Sequence, residues 1–190
     1  SATEAWFSYL ALGGGSISNV SITENVVPAA ASTIAYTGAG FQPDCILLFS
    51  IILNDAPPAT NAHGVALLGV GISASSRGAS GIVSTDAVDT ASSVHGQSAA
   101  HVLFYSTTDT AGDLDSMDSD GFTITWEGNP TTTRKFWAIC LKGGSYKIGE
   151  ISQATTPSSQ ATTGVGFKAS GLWMFGVNDE RATLWKARRD

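Results

Sequence analysis

The chain has 190 residues, 43% hydrophobic and only 14% charged, with 21 glycines and a formal net charge of −6. That length holds one large β domain, or one domain and part of another. No apolar run approaches the roughly 20 residues that span a bilayer, and no dense basic stripe interleaved with aromatics marks a nucleic-acid binder. Neither a membrane nor a nucleic acid is therefore expected as a partner.

In chain order, the patterning predicts strands over 5–12, 17–24, 33–37, 44–52, 64–73, 81–85, 99–106, 121–126, 134–141, 145–151, 162–167 and 171–177. The opening SATEAWF lacks the basic region and apolar core of a signal peptide. CILLFSIIL at 45–53 reads as a buried strand, and FTITW at 122–126 alternates Phe122, Ile124 and Trp126 with threonine, the period of a half-buried strand. HVLFYST and RKFWAICLKG add β-branched and aromatic content suited to a pleated surface. Turn formers separate these runs: NDAPPATNAHG at 54–64, SSRGASG at 75–81, EGNPTTT at 127–133 and ATTPSSQATTG at 154–164. The only helical signal is NDERATLWKARRD at 178–190, room for two or three turns. Together these predict an all-β fold: a β-sandwich over 1–177, with jelly-roll connectivity as one option, and a basic C-terminal tail over 178–190.

One design occurs twice. YLALGGGS near the start and ICLKGGS at 139–145 both run an apolar strand into a glycine turn; TGAGFQPDCILLFSI at 37–51 matches TGVGFKASGLWMFGV at 163–177. The first pair is offset by 129 residues and the second by 126, so one three-residue deletion reconciles them. Fixed-offset likeness predicts a repeated unit, with repeat-like segments 5–52 and 134–177.

Charge is unevenly spread. Residues 1–130 carry one basic residue, Arg77, and twelve acids, for −11; residues 131–190 carry nine basic residues and four acids, for +5. The expectation is a dipolar subunit whose basic end meets an acidic surface. Its interface candidates are Arg134 and Lys135 on a strand, and Arg181, Trp185, Lys186, Arg188 and Arg189 in the tail.

Catalytic signatures are missing: no G-x-S-x-G, H-E-x-x-H, P-loop or C-x-x-C stands in the chain. His95 and His101 lack a spacing that would set two ligands on one face. Cys45 and Cys140 sit inside apolar runs and read as buried thiols, with nothing to support a disulfide. The one site-like stretch is DLDSMDSDGFTITWE at 113–127. Ser116, Asp118, Asp120, Gly121 and Glu127 fall on positions 1, 3, 5, 6 and 12 of a calcium loop. Against it, the first position is serine and Phe122–Trp126 reads as a strand. The preferred expectation is an acidic β-turn with no metal and no cofactor. The five tryptophans, four of them within strand patterns, are expected in the core or at a subunit interface rather than on a sugar platform.

YLALGG, YTGAGFQPDCILLF and SMDSDGFTITW resemble segments of repeat-built, β-rich structural proteins of tailed bacteriophages, over roughly half of the chain. The second GxGF copy departs from the first, with Ala169-Ser170 in place of Pro43-Asp44. The resemblance brings no catalytic residues. It implies a non-enzymatic virion protein assembled in the host cytoplasm: a capsid decoration protein by first expectation, or a tail-associated one. Its partners would be copies of itself and other virion proteins such as the major capsid protein. The alternative is a carbohydrate-binding module or receptor-binding tail tip.

Overall fold

The structure, a computed structural model, describes residues 16–51, 63–85, 94–98, 100–105, 110–128, 134–151, 156 and 159–175. Among these there is no helix. Ten strands follow one another: β1 (Ile17–Val27), β2 (Ser32–Thr37), β3 (Cys45–Ser50), β4 (His63–Ser73), β5 (Ser76–Thr85), β6 (Val94–Ser98), β7 (Leu103–Tyr105), β8 (Thr110–Asp118), β9 (Gly121–Glu127) and β10 (Arg134–Gly143). They form two antiparallel sheets, one in the order β1-β10-β3-β4-β5-β6 and one in the order β2-β9-β8-β7. The protein is a β-sandwich. Its consecutive strands β3–β6 and β7–β9 stay within one sheet each, as meanders, instead of alternating between sheets as jelly-roll connectivity requires.

The core lies between the sheets. From the smaller sheet come Tyr36, Leu103, Leu114, Phe122, Ile124 and Trp126; from the larger come Val27, Ile46, Leu48, Leu67, Phe136, Ala138 and Cys140, all buried. FTITW behaves as its period dictates, with Phe122, Ile124 and Trp126 inward and Thr123 and Thr125 outward. Tyr36 sits at the centre of an aromatic group, with its ring 5.1 Å from Phe136 edge-on and 5.5 Å from Phe122. Such pairs add about 0.5–1.5 kcal/mol each beyond the area they bury.

Three expectations are corrected. SSRGASG is not a turn but most of β5, where small residues suit a strand pressed against a neighbouring layer. The acidic DLDSMD forms β8, with a bulge between Leu114 and Ser116, and VHGQS forms β6; neither was expected as a strand. Conversely, 145–151, 162–167 and 171–175 have strand-like patterns yet join no sheet among the described residues, because a strand needs a neighbour as well as a pattern. Strand 5–12 and the tail 178–190 lie outside the described residues.

Candidate assembly surface

The two sheets turn very different backs to solvent. The smaller sheet shows threonine and aspartate: Thr33 and Thr125 hydrogen-bond across β2 and β9 at 2.7 Å, and Asp115 accepts from Thr125. The larger sheet shows apolar side chains. Cys45, Leu47 and Leu141 form a second cluster there with Phe49, Val70, Ile72, Ile139, Tyr146 and Trp173. β3 and β10 are apolar on both faces because both are packed, one against the core and one against this outer cluster.

β1 extends that outer face without cover. Val20 pairs with Leu141 and Ile22 with Ile139, so both point to the same side as the outer cluster. They are 52% and 68% exposed, and Val26 beyond them is 46% exposed. Ser21, Thr23 and Asn25 take the opposite face, which Asn25 completes by donating to the Thr23 carbonyl and hydroxyl. Over Val20–Val26 the alternation is thus inverted, with Val20, Ile22 and Val26 outward and Ser21, Thr23 and Asn25 inward, before Val27 returns to the core. On the same face, Phe49, Ile51, Ala66, Leu68 and Trp137 line a shallow apolar depression, and Ile51 and Ile82 are exposed beside it.

The C-terminal segment lies over part of this face. Trp173 stacks on Phe49 with ring centroids 5.5 Å apart, and Phe175 meets Trp173 edge-on at 5.6 Å. Burial also acts on the cysteines. Cys45 faces this outer cluster and Cys140 the core, so neighbouring strands hold them on opposite faces and both are free thiols. Desolvation pushes Cys45 up to about 12 and Cys140 to about 11.

The basic candidates do not form one open patch among the described residues. Arg134 opens β10 on its inward face and is only 5% exposed, so it does not offer a surface cation; this corrects its place among the interface candidates. Lys135 is exposed but paired with Glu24 at 2.6 Å, inside the apolar field of β1 and β10. Lys142 pairs with Asp44 at 2.9 Å, and Asp44 also accepts from the Gly143 amide at 2.8 Å. The Gly143 amide first, and Lys142 second, hold the Asp44 carboxyl below its ordinary value. Arg181, Trp185, Lys186, Arg188 and Arg189 lie outside the described residues.

The acidic stretch is a tight β-hairpin. β8 and β9 are joined by Ser119-Asp120, and Asp118 pairs with Gly121. Asp118 accepts from Ser116 and Thr123, each at 2.6 Å. Asp120 accepts from the Gly40 amide at 2.6 Å and the Gly38 amide at 3.2 Å, tying the β2–β3 loop to the hairpin tip. Glu127 ends β9 opposite Ala111, six residues and so roughly 20 Å from the tip. The calcium-loop positions are thus spread along a ladder, and no cluster of three metal-ligating side chains stands among the described residues.

His101 does find a carboxylate, Asp113, at 2.6 Å, but Arg77 holds the same carboxylate at 3.5 Å. Arg77 also donates to the carbonyls of Ala100 and Leu114. These bonds staple β5, β8 and the link before β7 to one another.

Comparison with protein-family models, curated proteins and solved structures finds no match. The surface therefore has to be read from its own chemistry. Of its main residues, Trp137 was expected with the other tryptophans in the core or at a subunit interface, whereas Val20, Ile22, Val26, Ile51 and Ile82 were not singled out in the sequence. A signal was present, since NVSIT at 19–23 alternates apolar and polar residues, but alternation alone does not say which face meets the core.

Proposed function

We propose that the protein is a non-enzymatic structural subunit of a tailed-bacteriophage particle, a head decoration protein. It attaches to the major capsid protein and to copies of itself through the outer face of its six-stranded sheet. The inverted alternation of β1 carries this proposal: Val20, Ile22 and Val26 face solvent while Ser21, Thr23 and Asn25 face inward. Contiguous exposed apolar surface on a folded domain marks an interaction site. With Trp137 and Ile51 nearby and the Glu24–Lys135 pair inside it, the face has the apolar centre and polar relief of a protein interface. The phage setting is supported by the likeness of its strand-and-turn segments to phage structural proteins.

Quantitative mass spectrometry of purified particles tests the proposal. Copy numbers in the hundreds support a decoration protein; a handful per particle, or none, contradicts it. Tight, specific glycan binding at the Trp137 depression would instead favour a receptor-binding tip.

A further inference from the structure

One loop is written twice in this chain, and its backbone repeats along with its letters. Thr37-Gly38-Ala39-Gly40-Phe41 joins β2 to β3, and Thr163-Gly164-Val165-Gly166-Phe167 follows 126 residues later. Gly38 and Gly40 have φ of +99° and +80°; Gly164 and Gly166 have +79° and +83°. Residues with a Cβ avoid this region, so two matched pairs are not ordinary coil. Successive amides in such a turn make a concavity suited to an anion.

In the first copy the concavity is filled. The Asp120 carboxylate takes both glycine amides, and its carbonyl accepts from Ala39 at 3.3 Å. The strands on either side are seated too: β2 pairs with β9 of that same hairpin, and Ile46 and Leu48 of β3 are fully buried.

In the second copy the same positions have no such partner among the described residues. Gly164 and Gly166 are exposed, and no carboxylate of the described residues hydrogen-bonds them. Leu172 and Met174 align with Ile46 and Leu48, yet are 75% and 68% exposed. Trp173 and Phe175, aligned with Leu47 and Phe49, take the other parity, and Trp173 is seated on Phe49. The segment therefore keeps the two-faced alternation of β3, with its core-type face uncovered. Ser170 stands where Asp44 locks β3 to β10.

We infer that residues 163–175 form a socket for an aspartate-tipped β-hairpin of another polypeptide, built like residues 110–127. The aspartate takes the Gly164 and Gly166 amides as Asp120 takes those of Gly38 and Gly40. The apolar face of the hairpin covers Leu172 and Met174. Two such loops and one such hairpin stand among the described residues, and that hairpin is engaged at home, which points to a hairpin of another polypeptide for the second loop. A small free carboxylate does not suffice, because it leaves Leu172 and Met174 in water.

The test is titration of the full-length ¹⁵N-labelled chain with a cyclised peptide of residues 108–129, followed by the glycine amide resonances. Saturable shifts at Gly164 and Gly166 are expected, with affinity at least tenfold weaker for the Asp120→Asn peptide. They should be lost in a Gly164→Ala/Gly166→Ala chain whose Gly38 and Gly40 resonances are unmoved. No shift, shifts confined to Gly38 and Gly40, or equal binding of both peptides would overturn the inference. A Val20→Asp/Ile22→Asp chain should bind the peptide unchanged, so this socket and the sheet-face assembly succeed or fail separately.

Discussion

Trp126 donates its indole N–H to the Tyr36 hydroxyl at 2.7 Å, and that hydroxyl donates to the Val26 carbonyl at 2.9 Å. The relay starts on β9, passes through β2 and ends on β1, so two polar side chains inside the core tie the small sheet to the large one. Tyr36→Phe keeps the ring but leaves the buried indole N–H without its acceptor, which costs about 1–3 kcal/mol. The urea midpoint should fall accordingly while the slope of the transition stays constant.

Gly69 on β4 lies beneath the link that leads into β7, and a Cβ there would overlap the Val102 carbonyl oxygen. Backbone cannot swing aside as a side-chain end can. Gly69→Ala should therefore destabilise toward the upper end of the about 1–3 kcal/mol typical of overpacking. Gly149→Ala, which meets nothing within 4 Å and does not sit at a left-handed φ, should leave the melting temperature nearly unchanged. Thermal unfolding of the two variants side by side checks both outcomes.

The thiols give a chemical readout of burial. Because the thiolate is the nucleophile, Cys45 and Cys140, pushed up to about 12 and about 11, should resist alkylation at pH 8 in the folded chain. In urea both should react readily. Mass spectrometry of the labelled chain distinguishes the states, and rapid labelling of native Cys140 would contradict its place in the core.

Asp44 sets part of the acid stability. Its folded-state carboxyl titrates below the ordinary 3.8, so it contributes stability above that value, lost as pH falls through the folded one. The side chain is 41% exposed, and solvent screening keeps the contribution within about 1 kcal/mol. Asp44→Asn should lower stability at pH 7 by up to about 1 kcal/mol and flatten the profile below about pH 4, where variant and parent converge, as denaturant melts across pH will show.

Much of the sandwich was legible from local pattern. FTITW, CILLF and RKFWAICL became β9, β3 and β10 because large apolar residues at the right period leave few other ways to be buried. β8 was hidden because its outward positions carry Asp113 and Asp115, which resemble a solvated loop until a partner strand is known. The surface on β1 was hidden for a related reason. Pairing of Val20 with Leu141 joins residues far apart in the chain, and only that register shows the apolar positions to be outside. The Gly-x-Gly repeat was visible as letters, whereas the role of Asp120 in filling its first copy needed the fold.

Sedimentation velocity of the chain and its Val20→Asp/Ile22→Asp variant tests assembly through the outer sheet face most directly. Both side chains already face solvent, so the variant should melt at the unaltered temperature. The parent should sediment as concentration-dependent oligomers and the variant as a monomer, since two carboxylates cannot be buried at an apolar contact without large cost. A parent that stays monomeric at all concentrations, or a variant that associates equally well, would contradict the account.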